Sequence, residues 1–269
     1  MTRIAYLFPG QGSQREPNDP AVIETARKIL GFNPFETDKI NLTAYAQPAI
    51  LSYSVSILNT LEHKPDYLAG HSLGEYTALV AGGVLSFEEA LRAVHYRGKV
   101  MQEAVPIGAG SMLVVLGEDP DKLADLCEGV SGYVTVANYN CPGQTVLSGS
   151  TEGIESIKKL LRKSISISVS APFHCELMKP AQDKLANYLA KLDFKDSHTP
   201  IISNVTAQPL ISGSLLRDLL IKQVTAPVQF TKMLEFLKSV GVSEFMEIGP
   251  GKTLTNLVKR SHESFTVRA

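Results

Sequence analysis

The chain has 269 residues, 44% of them hydrophobic, with 26 Lys and Arg set against 27 Asp and Glu. That is enough apolar material for a sizeable core, and a formal net charge of −1 supplies no overall field to attract nucleic acid or an anionic membrane. The three cysteines, Cys127, Cys141 and Cys175, are odd in number and lack C-x-x-C spacing, which argues against a disulfide framework or a zinc site and for three small buried hydrophobes.

The apolar run at residues 4–8 is too short for a signal peptide and reads as a buried strand. No later run approaches a membrane span, so a cytoplasmic protein is expected. Pro48 is expected to open a helix reaching about residue 61, and residues 66–69 form a short strand that ends at Gly70. Ser86 with Glu89 three residues later is a capping box for a helix to about residue 104, after which Pro106, Gly108 and Gly110 break the chain. Beyond that break come a strand at 112–116, a helix at 120–128, strands at 133–138 and 145–148, a helix at 151–163 and a strand at 165–169. This βαββαβ order is that of a ferredoxin-like unit. After Pro172 the α/β alternation resumes, with helices near 180–191, 215–222 and 231–240 and strands at 201–204 and 244–248. The expectation is an α/β protein: a large α/β-hydrolase-like unit from residues 1–107 and 172–269, with a ferredoxin-like subdomain inserted at 108–171.

Gly70-His71-Ser72-Leu73-Gly74 fits G-x-S-x-G and stands between a strand and a helix, where that motif lifts its serine out of a sheet. The helix N-terminus behind it points free N–H groups at developing negative charge, and the Leu73 N–H is the natural oxyanion donor. His71 is expected to pack or cap. A serine hydroxyl needs a general base within hydrogen-bond reach. His63, His198 and His262 lie in polar loop contexts and His95 falls on the polar side of its helix, whereas His174 follows Ser170-Ala171-Pro172-Phe173, where the small unit hands back to the large one. Taken alone, that position suits a structural histidine as well as a base.

On the helix after Ser86, the residues Phe87, Ala90, Leu91, Val94, Gly98 and Met101 make one apolar stripe, and Arg97 sits within it. A guanidinium aimed inward must meet an anion: either a buried Asp or Glu in a structural ion pair, or a substrate carboxylate held by two hydrogen bonds.

Seven segments carry a resemblance that spans nearly the whole chain. Residues 7–14 (LFPGQGSQ), 70–76 (GHSLGEY), 96–101 (YRGKVM), 138–144 (NYNCPGQ), 171–174 (APFH), 227–229 (PVQ) and 247–251 (EIGPG) resemble, in order, the malonyl-CoA:acyl-carrier-protein transacylases of fatty-acid synthesis. The resemblance implies that Ser72 is the nucleophile and His174 the base, with His174 oriented by the main-chain carbonyl of Gln223. It further implies that the Gln11 N–H joins that of Leu73 in the oxyanion hole and that Arg97 holds the malonyl carboxylate. Phe173 goes with malonyl rather than methylmalonyl, and Asn138 and Asn140 stand beside the pantetheine arm. The implied partners are malonyl-CoA and an acyl carrier protein, with no metal or redox cofactor. Because such carriers are acidic, Lys158, Lys159, Arg162 and Lys163 on one helix, or else Lys252, Lys259 and Arg260, are candidate docking cations.

The sequence departs from the family after Gln14, where Arg15-Glu16-Pro17-Asn18-Asp19-Pro20 begins a shortened stretch to Gln47. Of three rivals, a serine hydrolase of α/β type is disfavoured because the acids from Asp119 to Asp125 fall in the small unit, a docking subunit without activity is disfavoured by the intact serine, histidine and arginine, and a transacylase serving polyketide synthesis stays open.

Overall fold

Strand β1 (Arg3–Phe8) is buried on both faces, with Ala5, Leu7 and Phe8 fully enclosed, as a central strand of a parallel sheet must be. In the computed structural model, which describes residues 2–167, 169–261 and 266–268, it is followed by helices α1 (Pro20–Leu30) and α2 (Thr43–Leu58), strand β2 (Tyr67–Gly70) and helices α3 (Gly74–Ala81) and α4 (Phe87–Gln102). Next come β3 (Gly110–Leu116), α5 (Pro120–Glu128), β4 (Val134–Cys141), β5 (Gln144–Ser150), α6 (Thr151–Lys158) and β6 (Ser164–Ile167). The rest comprises α7 (Lys179–Leu189), β7 (Ile201–Ile202), β8 (Pro209–Leu210), α8 (Gly213–Lys222), α9 (Phe230–Ser239), β9 (Val242–Glu247), α10 (Thr253–Ser261) and β10 (Thr266–Arg268).

The α/β class is as expected. One sheet has the order β10-β9-β1-β2-β7-β8, parallel except where β8 turns back on β7. The chain leaves β1 toward β2 on one side and reaches β9 on the other, so the carboxyl end of β1 opens a crevice where α/β proteins place ligands. A second, antiparallel sheet has the order β4-β5-β3-β6, with α5 and α6 covering one face. The sheets are tied where the Val228 N–H donates to Ala137 O and the Tyr139 N–H donates to Val228 O, both at 2.9 Å. Met112, Ala137 and Val146 of the second sheet share a hydrophobic core with Phe8, Leu73 and Val94.

Several elements differ from expectation. Helix α2 begins at Thr43, and Pro48 lies inside it rather than at its start. Proline lacks the N–H that would bond to Ala44 O, and His95 fills the gap: its Nδ1 lies 2.9 Å from that carbonyl. His95 therefore turns toward α2 rather than to solvent. The two helices approach closely because position 98 is glycine; a Cβ there would fall 2.5 Å from Thr43 O. Helix α1 was not anticipated, although Asp19 caps the N–H groups of Ala21 and Val22, Pro20 opens the helix and Gly31 closes it at φ 75°. Helix α6 ends at Lys158, so Lys159, Arg162 and Lys163 do not extend one helical face. Short strands β8 and β10 and helix α10 were also unforeseen, and His262 lies outside the described residues.

Candidate active site

The turn between β2 and α3 is shaped by atoms that leave no room for side chains at its ends. A Cβ on Gly70 would sit 2.0 Å from the Gly74 carbonyl carbon, and one on Gly74 would sit 1.9 Å from Phe8 O. Between them Ser72 takes a left-handed backbone, φ 53°, costly for a residue with a Cβ. Asn204, just beyond β7, clamps the turn: its Oδ1 accepts the Ser72 N–H at 2.7 Å, and its Nδ2 donates to Gly70 O at 2.6 Å.

His174 meets this serine from a segment that also bends to positive φ, 58°. Its Nε2 lies 2.8 Å from Ser72 Oγ, and its Nδ1 lies 2.8 Å from the main-chain oxygen of Gln223. A carbonyl can only accept, so Nδ1 carries the proton and the Nε2 lone pair faces the serine hydroxyl. Burial, and after it the nearby Arg97 charge, push the imidazole down to about 3, so it is neutral, with its Nε2 lone pair free and its affinity for a proton lowered.

Arg97 is 1% exposed, and its Nη2 donates to Ser72 Oγ at 3.1 Å and to Gln223 Oε1 at 3.0 Å. Among the described residues no carboxylate lies within ion-pair distance of it, and its Nε has no partner. The structural ion pair left open by the sequence is therefore not formed. Gln223 acts through its side chain as well as its backbone: Nε2 donates to Ser72 O at 2.9 Å and to Glu75 Oε2 at 2.7 Å.

Ser72 and His174 open onto a cavity of about 340 Å³ between the two sheets. Gly10 and Gln11 after β1 line it, with Met112, Val114, Asn138, Asn140 and Val146 from the antiparallel sheet and Phe173, Leu254 and Leu257 from the other side. Gln11 is held by Gln47, whose Nε2 donates to Gln11 Oε1 at 3.2 Å. Among the described residues neither the Gln11 nor the Leu73 N–H has an internal acceptor. His71 packs, one of the two roles expected for it: its ring lies 5.4 Å from that of Phe230, its Nε2 donates to Asn140 Oδ1 at 2.9 Å, and burial lowers its affinity for a second proton. Asn140 is engaged at both ends, since its Nδ2 donates to Gln144 Oε1 at 3.2 Å.

The structure thus places Ser72, His174, Gln11, Phe173, Asn138 and Asn140 on the wall of one cavity, with Arg97 and Gln223 bonded to Ser72 and His174 behind it and Leu73 next to Ser72 in the turn. Sequence reasoning missed Glu75 and Asn204. Glu75 could have been noticed as the one charged side chain on α3, whose neighbours Tyr76, Thr77, Ala78 and Leu79 are all enclosed. Asn204 sits after a two-residue strand and had no signal of its own. The three cysteines are buried and unpaired with one another, and among the described residues no group of three or more His, Cys, Asp or Glu side chains is placed to hold a metal ion. No described helix is long and apolar enough to cross a membrane.

Comparison with known proteins agrees with this geometry. Residues 29–268 match the acyl transferase domain family. The malonyl CoA-acyl carrier protein transacylase of Bacillus subtilis is 41% identical over 97% of this chain and 90% of its own length. An acyl carrier protein S-malonyltransferase from Vibrio cholerae superposes with a TM-score of 0.93 at 35% identity, covering 99% of this chain and 96% of that one. A malonyl-transacylase solved in complex with its type II PKS acyl-carrier protein superposes with a TM-score of 0.94 at 37% identity, covering 99% of this chain and 95% of that one. With a serine elbow, a histidine base and a buried arginine brought together on a fold shared end to end with these enzymes, the chain belongs to the malonyl CoA-acyl carrier protein transacylases.

Proposed function

We propose that this protein transfers a malonyl group from malonyl-CoA to the phosphopantetheine thiol of an acyl carrier protein, in fatty-acid synthesis, through a malonyl ester on Ser72. The observation that carries this reading is the position of Arg97: a buried cation without a carboxylate partner, donating to the hydroxyl that would be acylated. A malonyl ester on Ser72 carries its free carboxylate two bonds beyond the ester carbonyl, within reach of that guanidinium.

In the first half-reaction His174 Nε2 takes the proton from Ser72 Oγ as the oxygen attacks the thioester carbon. The N–H groups of Leu73 and Gln11 receive the oxyanion, the C–S bond breaks, and the imidazolium returns the proton to the departing CoA sulfur. In the second half-reaction the carrier thiol gives its proton to His174 as its sulfur attacks the ester carbon of malonyl-serine, the C–Oγ bond breaks, and the imidazolium returns the proton to Ser72 Oγ. The Gln223 carbonyl holds the tautomer that both halves require, so the catalytic unit is a Ser-His dyad with a main-chain orienter. No metal or redox cofactor takes part, because acyl exchange between thiols asks only for a nucleophile, a base and oxyanion donors.

The parallel-sheet portion, residues 1–107 and 172–269, is read as an α/β-hydrolase-like unit and residues 108–171 as an inserted ferredoxin-like unit. The βαββαβ order and the β4-β5-β3-β6 arrangement support the second assignment. The cleft between the units would shelter the ester from water. Asn138 and Asn140 are read as the asparagines beside the pantetheine arm, a reading supported by their position on the cavity wall. A cytoplasmic location and carrier docking through Lys158 and its basic neighbours, or through Lys252, Lys259 and Arg260, complete the reading. Transfer of labelled malonyl from malonyl-CoA to carrier protein, measured against release into water, tests it: carrier labelling well above hydrolysis is expected, and hydrolysis alone would make the protein a thioesterase.

A further inference from the structure

Glu75 is 1% exposed and has no assigned part in the reaction. A buried carboxylate needs donors and a positive charge. Its donors are the Gln223 side-chain amide at 2.7 Å and the Asn204 N–H at 3.3 Å, and its cation is Arg97, which reaches it through the other end of the same Gln223 amide at 3.0 Å. The two ends of Gln223 therefore join an anion and a cation that do not touch. The other charged or titratable groups nearby carry no compensating charge: His174 and His71 are neutral, and burial holds the Tyr76 phenol protonated. Helix α2, packed on α3, has no Asp, Glu, Lys, Arg or His, and β1 and β2 contribute only Arg3 at the outer end of its strand and the phenols of Tyr6 and Tyr67. Of the other ionisable groups of α4, Glu89 sits in the capping box, Arg92 bonds to Ile29 O, His95 to Ala44 O, Tyr96 stacks on Tyr188, and Glu88 and Lys99 are exposed.

One buried cation balances one buried anion. A malonyl carboxylate arriving at Arg97 brings a second anion into the same enclosed network, and the surplus charge must be removed or left uncompensated. We propose that Glu75 is the exchangeable counter-charge of the carboxylate site: ionised while Arg97 has no substrate, and protonated from solvent when a malonyl carboxylate takes its place beside Arg97. The proton needs no other donor than water, and no covalent bond changes apart from the O–H formed on Glu75. The two donors to Glu75 Oε2 are served equally by a carboxylate and by a neutral carboxyl, so the Ser72 turn and the Gln223 carbonyl keep their places through the exchange. Burial, only partly offset by Gln223, Asn204 and Arg97, raises this carboxyl to about 7, where such an exchange is possible near neutral pH. Glu75 is thus a positioning and charge-compensating residue, acting on the substrate through Gln223 and Arg97.

This inference rests on Arg97 holding the malonyl carboxylate, and the test separates the two. Wild type and Glu75→Gln, which keeps an acceptor oxygen for Gln223 and Asn204, are malonylated with malonyl-CoA while the adduct is followed by intact mass and proton exchange by a pH indicator in weak buffer. The variant supplies the correction for ionisation of the released CoA. At pH 8 wild type takes up close to one more proton per adduct than the variant, and at pH 6 only about a tenth of one, because the carboxyl is then already protonated. Correspondingly, wild-type KM for malonyl-CoA rises above pH 7, approaching about tenfold per pH unit, while that of the variant stays flat. A structural residue would give neither result. Equal proton uptake in both proteins overturns the proposal even when adducts form, whereas failure of wild type to form an adduct overturns the Ser72 reading instead. Should Glu75→Gln not fold, the wild-type infrared difference spectrum with carbon-13 malonyl-CoA decides: an unshifted protonated-carboxyl band appearing on malonylation supports the exchange, and its absence overturns it.

Discussion

Ser72 and His174, 102 positions apart, each adopt a left-handed backbone, φ 53° and 58°, at the point where their side chains meet at 2.8 Å. Strain at both partners fixes the direction in which each side chain leaves the main chain, so the pair is set before substrate arrives. Its cost can be measured at Ser72, where two variants remove the same hydroxyl. Ser72→Gly is expected to be more stable than Ser72→Ala by about 1 kcal/mol, because glycine takes positive φ without penalty. Denaturant unfolding of the two variants checks this; equal stabilities would mean that the elbow is unstrained.

His174 is neutral in the folded protein, pushed to about 3 by burial and by Arg97, whereas an unfolded histidine titrates near 6.5. Below pH 6.5 the unfolded chain binds a proton that the native site refuses. Stability from this residue is therefore complete above pH 6.5 and lost as the pH falls toward 3, at up to about 1.4 kcal/mol per pH unit. His174→Gln should show a visibly shallower loss of stability between pH 6.5 and 5 than wild type. In the same range wild-type kcat/KM for malonyl-CoA should lack the inflection near 6.5 expected of an exposed histidine base.

Arg97 is expected to discriminate by charge. Removing one partner of a buried, hydrogen-bonded charge pair costs about 2–5 kcal/mol, so Arg97→Ala should lose at least tens-fold in kcat/KM for malonyl-CoA while acetyl-CoA holds or gains. Arg97→Lys keeps the charge without the two-pronged geometry and should also be impaired. Equal losses for malonyl-CoA and acetyl-CoA would return Arg97 to a purely structural role.

Phe173 lines the cavity next to the base and is 7% exposed, so its ring bounds the space around the second carbon of the acyl group. Phe173→Ala should raise kcat/KM for methylmalonyl-CoA relative to malonyl-CoA by about 10-fold, as one methyl in a pocket allows. A competition assay with both thioesters reads the ratio directly, and an unchanged ratio would place the selectivity elsewhere.

How much of this was legible in the sequence depends on whether the signal was local. The glycines around Ser72, the Ser86-Glu89 capping box and the arginine in an apolar stripe each announce themselves within one turn of chain, and the structure places them as read. Pro48 misled because helix-start statistics outweighed the possibility of a distant stand-in; His95, 51 residues from Ala44, supplies the bond that proline removes. Helix α10 gave no local start signal because its cap comes from β9: Glu247 accepts the N–H groups of Leu254 and Thr255 at 3.0 and 2.8 Å. The Gln223 side chain was unreadable for the same reason, since its value lies in bringing Arg97, Ser72 and Glu75 together across more than 120 residues of chain.

The central claim is that Ser72 carries the malonyl group between two thiols. Its most direct test is intact-protein mass spectrometry of wild type and Ser72→Ala after exposure to malonyl-CoA, followed by addition of acyl carrier protein. Wild type should gain the mass of one malonyl group, mapped to Ser72, and lose it to the carrier; Ser72→Ala should gain nothing. A malonyl adduct on the alanine variant, or carrier malonylation by that variant at the wild-type rate, would contradict the account.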